Sequence, residues 1–283
     1  MKNKTCLITG GNAGIGKATC LGLAQKGAKI LLIARNPQKG KTAQQEIIKQ
    51  TGNTQIEVHI ADLADQKQIR ELAQNIQAKH PKIDVLINNA AMVVDTYQTT
   101  KEGFEIQWGV NHLAPFLLTN LLMPQLKSAN AARIITVSSG AHKRGKINFD
   151  FTKPQNYSGA NAYAQSKLAN VLFTYELARK LKDTNITANC LHPGFVKTNI
   201  GAKNDNGKLY TLGWKFLTLF AKSTDTGAAT SIYLASSPEV EGKSGGYYDK
   251  SRLAQSSKLS HDQALAKKLW EISQQQTQGQ GTR

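Results

Sequence analysis

The turn after the first apolar run limits the fold of this chain more than any other stretch. Gly10, Gly14 and Gly16 stand between a short strand-like run, Thr5 to Thr9, and an amphipathic run that ends near Lys26. Glycine allows a tight turn and leaves backbone N–H groups bare, so a phosphate can approach the positive end of the following helix. The spacing Gly-x-x-x-Gly-x-Gly, with Asn12 and Ile15 inside it, predicts a phosphate cradle at the first strand-to-helix connection.

Strands and helices then alternate steadily. Apolar runs predict further strands over Lys29–Ala34, Ile56–Ile60, Ile83–Ile87, Arg133–Val137 and Ile186–Leu191. Amphipathic spacing predicts helices over Pro37–Gln50, Asp65–Lys79 and Tyr163–Leu181, and a long one within Lys101–Leu126, bent near Pro115. This alternation implies an α/β fold, a doubly wound parallel sheet with helices on both faces. No linker, repeat or change of composition marks a second domain. One domain is expected over residues 1–275; the Gln/Gly-rich end from Gln274 is expected to fray, with 276–283 outside the fold.

Composition excludes several functions. The formal net charge of +17 comes from basic residues spread along the chain, with local groups at Lys143/Arg144/Lys146 and Lys267/Lys268. No zinc-finger spacing, helix-turn-helix pattern or aromatic RNA-binding motif accompanies them, so no nucleic-acid partner is expected. Cys6, Cys20 and Cys190 each sit in apolar surroundings and read as buried, reduced thiols. The six histidines show no ligand spacing, and no metal site is expected. Met1-Lys2-Asn3-Lys4 leads directly into Thr5, without the pattern of a signal peptide, and no apolar run approaches the roughly 20 residues that span a bilayer. A cytoplasmic location is the expectation.

Two further features carry chemistry. Tyr163 and Lys167 are four apart at the start of a predicted helix, so phenol and ammonium share one face. A phenol near its usual pKa of about 10 is a poor base at neutral pH, and a nearby cation is expected to lower that value. Alone the pair is a weak signal, met by chance on many helices. The second strand ends at Arg35, with Lys39 a turn beyond and no carboxylate to hold a ribose 2′-hydroxyl. An arginine there suits a 2′-phosphate, which points to NADP(H) over NAD(H).

Taken together, the motifs resemble those of the short-chain dehydrogenases/reductases. Thr9-Gly10-x-x-x-Gly14-Ile15-Gly16, Asn88-Asn89-Ala90, Asn111, Ser138-Ser139, Tyr163-x-x-x-Lys167 and Pro193-Gly194 follow that family's order and spacing, from about Lys4 to Gln275. Asp62-Leu63-Ala64-Asp65, Val110-Asn111-His112-Leu113, Ser166 to Phe173 and His192-Pro193-Gly194 are similar to its retinol dehydrogenase/WW-domain oxidoreductase branch. The resemblance implies a Rossmann-like domain and a set of roles. Tyr163 would be the general acid or base, and Lys167 would lower its pKa and hold the nicotinamide ribose. Ser139, the second of its pair, would orient the substrate oxygen. Asn111 would hold a water linking Lys167 to solvent. Asp62, with Leu63 beside it, would contact the adenine; Asn89 and Ala90 would line the adenosine side. Pro193, Gly194, Val196 and Thr198 would close over the nicotinamide amide. One departure stands out: Ala91 occupies the family's usual glycine position, which implies a slight shift of that loop.

Substrate choice is expected to lie in residues 195–223. Leu209, Tyr210, Leu212, Trp214, Phe216, Leu217, Leu219 and Phe220 make that stretch unusually apolar for a connection. A lid over a lipophilic substrate is the first reading. A patch on anionic membrane, aided by Lys203, Lys208, Lys215 and Lys222, buried core and a subunit contact stay open beside it. The expected substrate is a retinoid-like or long-chain aldehyde, ketone or alcohol. A broad carbonyl or quinone reductase and a non-catalytic NADP(H) sensor are the alternatives. By family analogy a homodimer or homotetramer would form through the helices within 101–126 and 163–181.

Overall fold

The first strand, β1 (Thr5–Thr9), lies between β2 (Lys29–Ala34) and β4 (Val85–Asn88), with β3 (Ile56–Ile60) outside β2. Beyond β4 come β5 (Arg133–Val137), β6 (Thr187–His192), β7 (Tyr247–Asp249) and β8 (Arg252–Leu253), completing the order β3-β2-β1-β4-β5-β6-β7-β8. Strands β1 to β7 are parallel, and β8 returns antiparallel. The computed structural model describes residues 1–152, 154–194 and 224–278. The proposed lid, 195–223, therefore lies outside the described residues.

The unbroken apolar character of β1 and β2 follows from burial on both faces. Leu7, Leu31, Ile33, Leu86 and Ile134 face one layer, with Ile69, Leu72 and Ile76 of α3 (Gln66–Lys79). Cys6, Ile8, Ile30, Leu32, Val85 and Ile87 face the other, with α1 (Gly14–Gln25) and α2 (Pro37–Thr51). All three cysteines are buried and free.

The long helix expected within 101–126 is broken. Residues Ile106–Trp108 lead into a π-turn, Gly109–Leu113, then α4 (Ala114–Leu121) and a short helix, Met123–Lys127. The irregularity falls at the π-turn and at Leu122. Pro115 follows the π-turn within the same helical run, and its missing N–H and its ring, which meets the carbonyl four residues back at Asn111, accompany that irregularity, close to the expected bend. The helix carrying Tyr163, α5 (Gly159–Lys180), starts one turn earlier than expected because Ser158 caps it, its Oγ accepting from the Asn161 N–H at 3.3 Å.

Two helices not anticipated complete the layers: α6 (Thr224–Ser236) and α7 (Gln263–Thr277). The expected fraying from Gln274 is not found over α7. The indole of Trp108 donates to Gln276 Oε1 at 2.9 Å, and Gln66 Nε2 donates to the Gln276 carbonyl at 2.9 Å, so the fold runs past residue 275. Trp270 stacks on Phe173 with ring centres 5.8 Å apart and meets Phe116 edge-on at 4.9 Å. Among the described residues, α5 is buried from Ser166 to Leu177.

Candidate active site

The carboxyl ends of β1 and β4 open at the point where the chain turns outward in both directions, the usual crevice of such sheets. Gly10 and Gly14 adopt φ of +66° and +53° there, a region that favours glycine. A side chain at Gly16 would overlap the Gly10 carbonyl and the Asn89 amide. Helix α1 begins at Ala13 with no side-chain cap and no acidic residue in its first turn. By contrast α2, α3, α5 and α7 are capped by Asn36, Asp65, Ser158 and Asp262. The N–H groups that a cap would satisfy are thus left for an anion, and the donor set Gly14, Ile15 and Gly16 fits a pyrophosphate.

The cradle is held from beneath. Thr9 Oγ1 accepts from the Asn89 and Ala90 N–H groups at 2.9 and 3.0 Å, and Asn89 Nδ2 donates to the Thr9 carbonyl at 2.7 Å. The Asn89 side chain is therefore committed to β1 and buttresses the glycine turn. The Thr9 hydroxyl is the residue sequence reasoning passed over here; its signal was its place just before Gly10. Ala91 has no positive φ, so its methyl brings no backbone strain.

Arg35 emerges exposed at the end of β2, and Lys39 is also exposed on α2. No carboxylate among the described residues pairs with Arg35. Across the cradle, Asp62 is half-buried; its Oδ1 accepts from the Ala64 N–H at 3.0 Å, and its own N–H donates to Gln68 at 2.9 Å. Leu63 packs partly against the core beside it.

Beyond β5 the two serines divide. Ser138 is buried and its hydroxyl donates to the Lys167 carbonyl at 2.8 Å, tying β5 to α5. Ser139 is half-buried, its Oγ accepts from the Ala141 N–H at 3.2 Å, and its hydroxyl is close enough to the Tyr163 phenol to favour the phenolate. His192 at the end of β6 accepts from the Gly140 N–H at 3.0 Å and so anchors the turn that carries Ser139. This anchoring was not foreseen, although His192 stood in the His-Pro-Gly motif.

Lys167 is buried, its ammonium donating to the Val137 carbonyl at 2.9 Å and lying 5.6 Å from the centre of the Tyr163 ring. Burial lowers its pKa to about 7. Burial also raises the Tyr163 phenol, with Ser139 pulling the other way. The expected depression of Tyr163 by Lys167 is thus not found in the protein alone. The ammonium is aimed at Val137 and is itself close to losing its proton, so desolvation of the phenolate dominates.

Asn111 is fully buried in the π-turn, not on a regular helix. Its Oδ1 accepts from the Met92 N–H at 2.8 Å, while Nδ2 donates to the Met92 carbonyl at 2.9 Å and to Ser166 Oγ at 3.1 Å. It fastens the segment after β4 to the helix carrying Tyr163. Pro193 and Gly194 follow β6 on this edge, with Gly194 at φ +84°. Val196 and Thr198 lie outside the described residues.

A glycine cradle at a sheet crossover, beside a serine, tyrosine and lysine, defines a dinucleotide-dependent oxidoreductase. The short chain dehydrogenase family matches residues 4–208, and this chain belongs to it. Within it the chain belongs to the retinol dehydrogenase branch. It is 42% identical to human retinol dehydrogenase 14, covering 97% of this chain and 86% of that protein. It is also 42% identical to human retinol dehydrogenase 13, covering 94% and 82%. An uncharacterised protein from Mycobacterium paratuberculosis, solved by crystallography, superposes with a TM-score of 0.78 at 33% identity, covering 98% of this chain and 94% of that one. The family's nicotinamide cofactor suits the uncapped helix and the side-chain-free turn described above.

Proposed function

We propose that the protein interconverts a lipophilic carbonyl and its alcohol with NADP(H), and that Tyr163 moves the proton. The observation that carries this reading is the meeting of Ser139 and Tyr163 beside the Lys167 ammonium, on the same sheet edge as the glycine cradle. The bound cofactor supplies or accepts the hydride. Burial keeps the Tyr163 phenol protonated at neutral pH, ready to donate to a carbonyl oxygen as charge develops there. The Ser139 hydroxyl shares that oxygen and fixes its direction. Lys167, near half-protonation at pH 7, can pass a proton onward or hold a ribose hydroxyl. Asn111 acts as a positioning residue, keeping the π-turn against α5.

Arg35 and Lys39, without an opposing carboxylate, support the phosphorylated dinucleotide. The names of the relatives support a retinoid-like or long-chain aldehyde as substrate. No helix among the described residues is long and apolar enough to cross a membrane, and a cytoplasmic protein with at most peripheral membrane contact is our reading. A homodimer or homotetramer is our reading of its assembly, as is typical of the family.

The test is oxidation of NADPH and NADH by the purified protein with retinal, long-chain aldehydes, small ketones and quinones, alongside Tyr163→Phe. Turnover should favour NADPH and the long apolar carbonyls. It should fall about 10²–10⁴-fold in the variant, with NADPH binding retained. Turnover of small quinones alone would favour a broad reductase. Tight NADPH binding without any turnover would favour a sensor.

A further inference from the structure

Glu57, His59 and His80 come together at the edge of the sheet far from the catalytic residues. Glu57 and His59 are alternate residues of β3 and so project from one face. Their register partners on β2 are Leu31 and Ile33, whose side chains pack against α3. His80 closes the carboxyl end of α3, at the opposite end of the sheet from Ser139 and Tyr163. Glu57 Oε2 lies 3.5 Å from His59 Nε2 and 3.2 Å from His80 Nε2, and all three donor atoms lie within 4.8 Å of one another.

Both separations are of ion-pair length, but neither meets hydrogen-bond geometry. Both Nε2 atoms are buried and have no hydrogen-bond partner, and His80 is only 5% exposed. Two buried imidazole nitrogens whose only partner is a carboxylate at loose ion-pair distance are costly to bury. A cation between them removes that cost. Ligands about 2.1 Å from a tetrahedral zinc ion stand about 3.4 Å apart, and the two distances to Glu57 straddle that value.

We propose that Glu57, His59 and His80 form a site for one divalent ion of the Zn²⁺ class, bound through Glu57 Oε2 and the two Nε2 atoms. Two imidazoles and one carboxylate are a donor set suited to Zn²⁺ and not to Mg²⁺ or Ca²⁺, which prefer oxygen alone. Glu57 is 40% exposed, so a water can complete the coordination. Lys29 Nζ holds the other carboxylate oxygen, Oε1, at 2.8 Å. It directs Oε2 toward the histidines but also adds a positive charge, which weakens the affinity. The ion would tie the edge strand β3 to the end of α3, a structural link that leaves the reaction untouched.

The experiment uses the full chain without a histidine tag, stripped with EDTA and titrated with zinc chloride by calorimetry and thermal melting. One equivalent should bind, with Tm rising by roughly 5 °C at a hundredfold excess over Kd. Cobalt(II) in place of zinc should give the visible absorption of a tetrahedral ion. His59→Gln, Glu57→Gln and His80→Gln should each weaken zinc binding at least tenfold and abolish the cobalt band. If burial makes His80→Gln unfold, the two more accessible variants decide the matter. NADPH binding should be unchanged in all of them. Failure to take up zinc below millimolar concentration, or uptake that persists unchanged in His59→Gln and Glu57→Gln, overturns the site.

Discussion

Replacing Lys167 with methionine should make the folded protein more stable at neutral pH. Burial holds this lysine at about 7, against 10.5 for a free side chain. The unfolded chain therefore binds more protons than the folded one between those two values, and the stability of the wild type rises with pH across that window. At pH 7 the unfavourable contribution of Lys167 comes to about 4 kcal/mol as an upper bound, and at pH 10 it has shrunk to about 1 kcal/mol. Methionine fills a similar volume and does not titrate, but it removes the donor to the Val137 carbonyl, a loss of about 1–3 kcal/mol. The variant should thus exceed the wild type by about 1–3 kcal/mol at pH 7, with the advantage gone or reversed at pH 10. Urea unfolding of both proteins at the two pH values measures the gap directly. A gap that stays constant with pH, or a variant that is less stable at pH 7, would refute the claim that this lysine is held against its own charge. Turnover should be lost in the variant throughout, a direct case of stability given up for an active site.

Three other outcomes are expected. Arg35→Glu should raise the KM for NADPH at least tenfold and lower that for NADH, as steady-state kinetics would reveal, because a carboxylate there accepts a ribose hydroxyl and repels a phosphate. Gly16→Ala should weaken NADPH binding strongly and cost about 1–3 kcal/mol of stability, since the methyl meets the Gly10 carbonyl; fluorescence titration and melting separate the two effects. Trp270→Ala should cost about 3–5 kcal/mol in chemical unfolding, through loss of its contacts with Phe116 and Phe173.

Some of the fold was legible because its causes are local. β1 and β2 are continuous apolar runs flanked by turn residues, and the predicted Thr5–Thr9 and Lys29–Ala34 coincide with the observed strands. Pro37 after Asn36 marks the start of α2 as pattern alone suggests. By contrast β7 is three residues long and β8 two, too short to show a period. Helix α7 was missed because its polar, glutamine-rich end looks disordered until Trp108 and Gln66 are placed against it. The bond between the Asn111 side chain and Met92, nineteen residues earlier, is invisible to spacing arguments.

The sequence by itself determined the class of fold, the glycine cradle and the candidate reacting side chains, because periodicity, glycine spacing and the Tyr163–Lys167 interval act within a few residues. Tertiary structure decided the electrostatics. Which serine faces the tyrosine, where the Lys167 ammonium points and how far burial moves both groups depend on β5, β6 and α5 meeting. The same holds for Glu57, His59 and His80, whose convergence needs an edge strand and the far end of a helix. Desolvation and long-range contact are properties of the packed chain, and no local pattern encodes them.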